Sequence, residues 1–128
     1  MTPENIVLHQ QSRELQLDWP DGVKHLISCE FLRVHSPSAE VRGHGPGQEV
    51  LQVGKEQVNI TAIEPMGHYA IKLVFDDGHD SGLFNWPLLR KMGENQESMW
   101  ADYLKLCAEA GHERQTPETK SSVEIYRP

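Results

Sequence analysis

Two short stretches of this 128-residue chain gather residues able to do chemistry. One is Arg33-Val34-His35-Ser36-Pro37-Ser38, running on to Arg42 and His44; the other is Asp76-Asp77-Gly78-His79-Asp80. Guanidinium and imidazole groups beside glycine-rich backbone suit a small anion or a polar group of a partner. His35, His44 and His79 are the candidates for a metal held at loop tips.

Other constellations fail on spacing. Gly43-His44-Gly45-Pro46-Gly47 and Gly54-Lys55 do not make a phosphate cradle, because a Walker motif puts four residues between its Gly and Gly-Lys and then needs Ser or Thr, where this chain has Glu56. Asp76, Asp77, Asp80 and Glu64 lack the calcium-loop order with its closing bidentate Glu. No His-x-Asp or His-x-Glu unit is present to start a facial iron triad. Cys29 and His25 are close enough in sequence to form a nucleophile pair, but Cys29 lies among apolar neighbours, where thiols pack and stay inert. With only Cys29 and Cys107, neither a disulfide framework nor a four-cysteine zinc site can be built, so both read as reduced thiols.

The elements that must position these residues show in the apolar alternation. Glu14 to Ser28 reads as two strands around a Pro20-Asp21-Gly22 turn, followed by a helical turn at Cys29 to Arg33 and a loop over 35–49 with almost nothing to bury. Alternation returns at 58–66 and at 69–75, where Tyr69, Ile71, Leu73 and Phe75 share a face, and Asp77-Gly78 turns the chain toward Gly82-Leu83-Phe84. Asn85 caps a short helix WPLLRKM that Gly93 ends. A second helix spans 96–110 with Trp100, Tyr103, Leu104 and Cys107 on its apolar stripe, closed by Gly111. Trp19, Trp86 and Trp100 are assigned to the core. The expected fold class is α+β: a mostly antiparallel sheet of hairpins with one or two C-terminal helices packed on one face. Residues 1–111 form the single domain and 112–128 a flexible tail.

Nineteen acidic against twelve basic residues give a formal charge of -7, which repels phosphate backbones and anionic lipid heads, so neither nucleic acid nor membrane is an expected partner. There is no run of about 18 apolar residues and no basic n-region at the N-terminus, so the expected location is cytoplasmic.

Several motifs occur together in a fixed order: Trp19-Pro20-Asp21-Gly22, Phe31-Leu32-Arg33, Gly67-His68-Tyr69-Ala70, Asp76-Asp77-Gly78-His79 and Trp86-Pro87-Leu88-Leu89-Arg90. In this the chain resembles the gamma-butyrobetaine-hydroxylase-like N-terminal domain family, over roughly residues 8–93. The resemblance implies a domain that occurs alone in bacteria, ahead of the catalytic barrel in carnitine-pathway oxygenases, and attached to iron-sulfur cluster carrier ATPases. Hydroxylase members hold a structural zinc through Leu-Arg-Asp-x-Cys-Pro-Cys-x-x-Cys and a distant His. Here Leu32, Arg33 and Pro37 match, the cysteines fall on Ser36, Ser38 and Val41, and only His79 keeps a ligand position. No cofactor is therefore expected, because a hydroxyl replaces a thiolate poorly as a zinc ligand.

The oxygenase activity of the longer relatives is not expected either. No common activity follows from those family contexts; a loop dense in residues it does not need for packing points instead to a non-enzymatic accessory module that binds a protein partner through residues 32–49 and the His79 hairpin. Its expected contact surface is Arg33, His35, Ser36, Ser38, Arg42, His44 and His79. The alternatives are a metal-handling or iron-sulfur assembly accessory, suggested by the fused relatives, and an enzyme of unknown class.

Overall fold

A computed structural model describes residues 1–43 and 49–115. Two three-stranded antiparallel sheets carry the core. The first joins β1 (Asn5–His9), β2 (Glu14–Asp18) and β3 (Lys24–Ser28) in that order. Its register sets Ile6 and Leu8 opposite Leu17 and Leu15, and Leu15 opposite Ile27, so one face collects the apolar residues. β1 is absent from the sequence reading.

Next comes α1 (Cys29–Val34), begun by Ser28, whose side chain accepts from the Phe31 N–H at 3.0 Å. All six of its residues are buried, so this helix runs through the interior. The stretch after it differs from the expected bare loop. Ser36, Ser38 and Val41 are buried, and Ala39–Arg42 forms a short helix, α2. Small polar residues offer little apolar area, but they bury without penalty once their hydroxyls find a partner. Residues 44–48 of that stretch, with His44, lie outside the described residues.

The second sheet joins β4 (Ile60–Met66), β5 (Ala70–Phe75) and β6 (Leu83–Asn85). Ile71, Leu73 and Phe75 are buried as the alternation predicts, whereas Tyr69 belongs to the turn before β5 and is exposed. α3 (Trp86–Glu94) starts on Asn85, whose side chain accepts from the Leu88 N–H at 2.8 Å. It does not stop at Gly93, which lies inside the helix: a Cβ there would stand 2.2 Å from His25 Nδ1. Close packing, not termination, fixes that glycine.

α4 (Gln96–Glu109) buries Tyr103 and Cys107 and half-buries Trp100, while Leu104 of the expected stripe is exposed. Among the tryptophans, Trp19 is inside the core, and Trp86 and Trp100 pack half-buried against it. One apolar cluster draws on Leu15, Leu17 and Ile27 of the first sheet, Ile60, Leu73, Phe75 and Phe84 of the second, and Leu89 and Met92 of α3. The architecture is α+β. No helix among the described residues is long and apolar enough to cross a membrane.

Candidate functional site

The Asp77-Gly78 turn returns the chain so that Phe75 N–H donates to the His79 carbonyl at 2.9 Å, and the His79 ring enters the protein beside α1 and α2. His79 is 5% exposed and Ser36 1%. The ring Nδ1 meets Glu40 Oε1 at 2.7 Å, and Nε2 meets Ser36 Oγ at 2.9 Å and Ser38 Oγ at 3.3 Å. In the tautomer with its proton on Nδ1 facing the carboxylate, Nε2 can accept from the hydroxyls. Gly82 closes the cluster from the other side: a Cβ there would lie 2.2 Å from Ser36 Oγ.

Glu40, His79 and Ser36 thus stand in the order of a nucleophilic relay. Two features set them apart from a working one. The serine hydroxyl is enclosed between the imidazole and Gly82, and the carboxylate side chain is 69% exposed rather than sheltered. A nucleophile needs a path for the reacting carbon; what this arrangement supplies is a polar tie between the connector and the hairpin.

A second tie lies next to it. Arg33 Nε donates to Asp77 Oδ2 at 2.9 Å, and Lys55 Nζ reaches the same oxygen at 2.6 Å. Burial works against the Asp77 charge, but Lys55, the His79 backbone N–H and Arg33 outweigh it and hold the carboxyl down at about 2. Asp76 accepts from the Asn59 N–H and Glu64 pairs with Lys72, so the acidic residues of this region serve separate partners.

Ser36 and Ser38 stand in the wall of a cleft of about 1030 Å³. Its apolar lining includes Val41, Leu83, Leu88, Met99 and Leu106; His35, Arg42, Asp102 and Tyr103 add polar groups. His35 donates from Nδ1 to the Phe31 carbonyl at 2.8 Å, and burial lowers its pKa. Tyr103 O–H donates to the Gln52 carbonyl at 2.6 Å.

Of the residues singled out in the sequence, Ser36, Ser38 and His79 converge, and Arg33 joins them through Asp77. These four are buried, whereas His35 is half-buried and Arg42 exposed. Glu40 and the apolar wall of α4 escaped the sequence reading, the first because an acid in a Pro/Ser segment looks solvated, the second because a stripe read as core gives no sign of a second face. Cys29 is buried, its thiol pushed up to about 11 by burial, and His25 spends its Nδ1 accepting from Trp19 Nε1 at 2.9 Å. Those two make no nucleophile pair.

Fold and site define a small α+β domain in which the connector between two antiparallel sheets is pinned by one buried histidine. The chain belongs to the gamma-butyrobetaine hydroxylase-like, N-terminal family, whose model matches residues 6–90. Two proteins with NMR solution structures are similar to it. One is 46% identical with a TM-score of 0.77, the match covering 97% of this chain and 98% of that one; the other is 42% identical with a TM-score of 0.78, covering 98% and 93%. A crystal structure of a protein with unknown function from Acidithiobacillus ferrooxidans, of the DUF971 family, is 36% identical with a TM-score of 0.61 over 72% of this chain and 92% of that one. No curated protein matches the chain.

Proposed function

We propose that the chain is a non-catalytic binding module whose recognition surface is the cleft beside the His79 cluster, and that its ligand is another protein. The observation that carries this reading is the lining. Leu83 is 40% exposed and Leu106 50%, and they stand with Met99 and Leu88 around a concavity rimmed by Arg42 and Asp102. An apolar floor with a polar rim is the anatomy of a protein contact patch, and exposed apolar side chains gathered in one place cost solubility unless they serve binding. The His79 ties hold the 36–42 wall in place, so the surface is preformed.

The test is capture from host lysate with the unmodified chain and with a Leu83→Asp/Leu106→Asp double variant. Both positions are already exposed, so the variant should melt as the parent does while losing the retained proteins. Identical retained sets would move the surface elsewhere.

We infer further that the module works without zinc at positions 36, 38, 41 and 79. Two hydroxyls and a valine stand there in place of soft thiolates, and the imidazole nitrogen facing them is occupied by the hydroxyls. Elemental analysis of protein purified without chelator should find no stoichiometric zinc; one zinc per chain would refute this.

A further inference from the structure

A second polar site lies away from the cleft, where residues 112–115 turn back from the end of α4. His112 N–H donates to the Cys107 carbonyl at 2.9 Å, which aims the following residues across α1. Arg114 presents its guanidinium to Glu30 with both forks engaged, Nε to Oε2 at 3.0 Å and Nη2 to Oε1. The same guanidinium lies over Trp100, its Cζ 4.9 Å from the ring centroid. One residue on, the Gln115 N–H donates to Glu56 Oε2 at 2.8 Å, an oxygen that His112 Nε2 also meets at 3.2 Å.

Glu30 and Glu56 are each 7% exposed. A carboxylate so far out of water needs compensation, and both of these draw their side-chain partners from one four-residue segment. Burial opposes the Glu56 charge, and the Gln115 and His112 contacts outweigh it. Two acids and an indole face have thus been built into the folded body to receive a guanidinium and the amide that follows it.

The occupant itself is lightly held. None of residues 111–115 is buried, and the Arg114 side chain is a quarter exposed. With its side chains at the surface, the segment can open locally without unfolding the body, and opening lets water reach both carboxylates.

We propose that the Glu30–Trp100–Glu56 seat is an arginine-recognition site, filled in cis by Arg114 and filled in exchange by an arginine-bearing extended segment of a partner protein. The geometry sets the partner's chemistry. A planar fork that also stacks on indole selects arginine over lysine, because an ammonium makes neither the paired hydrogen bonds nor the flat contact. The residue after the arginine must donate its N–H to Glu56, so it cannot be proline. Because the cis segment competes at high effective concentration, a partner should bind weakly until Arg114 is displaced.

The experiment uses an acetylated, amidated pentapeptide of sequence His-Glu-Arg-Gln-Thr, titrated into the full-length chain and into the full-length Arg114→Ala variant while the Trp100 indole N–H is followed by NMR. The peptide should shift that signal in the variant, with at least ten-fold weaker binding to the unmodified chain. The same peptide with lysine for arginine, or with proline for glutamine, should lose at least ten-fold on the variant. Equal binding of the three peptides, or no binding of the parent peptide to the variant, would overturn the proposal. If Arg114→Ala fails to fold with Glu30 unpaired, the unmodified chain decides. Millimolar parent peptide should then shift the Trp100 signal where the lysine peptide does not, and no difference between them would overturn it as well.

Discussion

His79 has both ring nitrogens engaged inside the protein, and the consequences of removing it or one of its partners differ in size. Ser36→Ala removes one hydroxyl and leaves Ser38 on the same nitrogen, a loss of about 1 kcal/mol. His79→Ala abandons two buried hydroxyls and opens a cavity beside Phe75, on the order of 3 kcal/mol. In a domain of this size that is a melting-temperature drop of roughly 10 °C against roughly 4 °C. Thermal melts of the two variants check it, and equal drops would mean that the Ser36–His79 tie, rather than the packing of the ring, carries the effect.

His25 and His35 give a pH dependence of fixed sign. Burial lowers the pKa of both, and Arg90 pushes the His25 value down further against the opposing pull of Glu94 and Asp21. Each ring therefore binds fewer protons folded than unfolded, so stability is fully present above the unfolded value near 6.5 and drains as pH falls below it toward the folded value. Melting temperature should fall from pH 7 to pH 5, and a His25→Gln/His35→Gln variant should flatten that slope. Asp77 contributes in a separate, lower window, from its ordinary value near 3.8 down to about 2.

At the scale of elements, Gly93→Ala tests why α3 lies where it does. The His25 ring is fixed by the Trp19 hydrogen bond and cannot swing aside freely from a new Cβ, so overpacking should cost about 2 kcal/mol and push α3 off β3. A circular-dichroism melt reads the loss, and an unchanged melting temperature would show that the contact relaxes. This glycine also marks the limit of what the sequence discloses. The Pro20-Asp21-Gly22 hairpin, the alternating faces of β2 and β5, the Asn85 cap and the helical run after Asn95 are local signals and were legible as such. The reason for Gly93 is a histidine in another element, which no local pattern encodes. The 36–42 connector was misread on the same ground: Ser and Pro promise no burial until His79, 43 residues from Ser36, supplies the partner. β1 escaped because five residues with one strong alternation differ little from a polar terminus until β2 is beside them. His79 stood among the histidines the sequence singled out, with His35 and His44; that its ring lies inside the protein, with Glu40 as its outer partner, was not legible.

At the scale of the molecule, the two sheets share no ladder among the described residues, and polar links between the two halves include Gln10 to the Ile60 carbonyl, Asn59 to the Gln10 carbonyl and Arg13 to the Gln57 carbonyl. What joins them is side-chain packing in a single cluster to which both sheets, α1 and α3 contribute. Neither sheet could keep its inner face dry alone, since Leu15, Leu17 and Ile27 are covered by residues of the other half, and burying each such side chain is worth about 2 kcal/mol. The domain should therefore unfold as one unit. Trp19 sits with the first sheet and Trp86 follows the second, so urea transitions of Trp86→Phe and Trp19→Phe variants report the two halves through the remaining indoles. Each variant's fluorescence midpoint should coincide with its own far-UV circular-dichroism midpoint. Leu73→Ala, made in the second sheet, should lower the stability read from Trp19 in the first by the full 2–5 kcal/mol expected of a buried leucine. A Trp19 transition unmoved by that substitution would mean that the first hairpin layer stands by itself, and the shared cluster would then be contact without cooperativity.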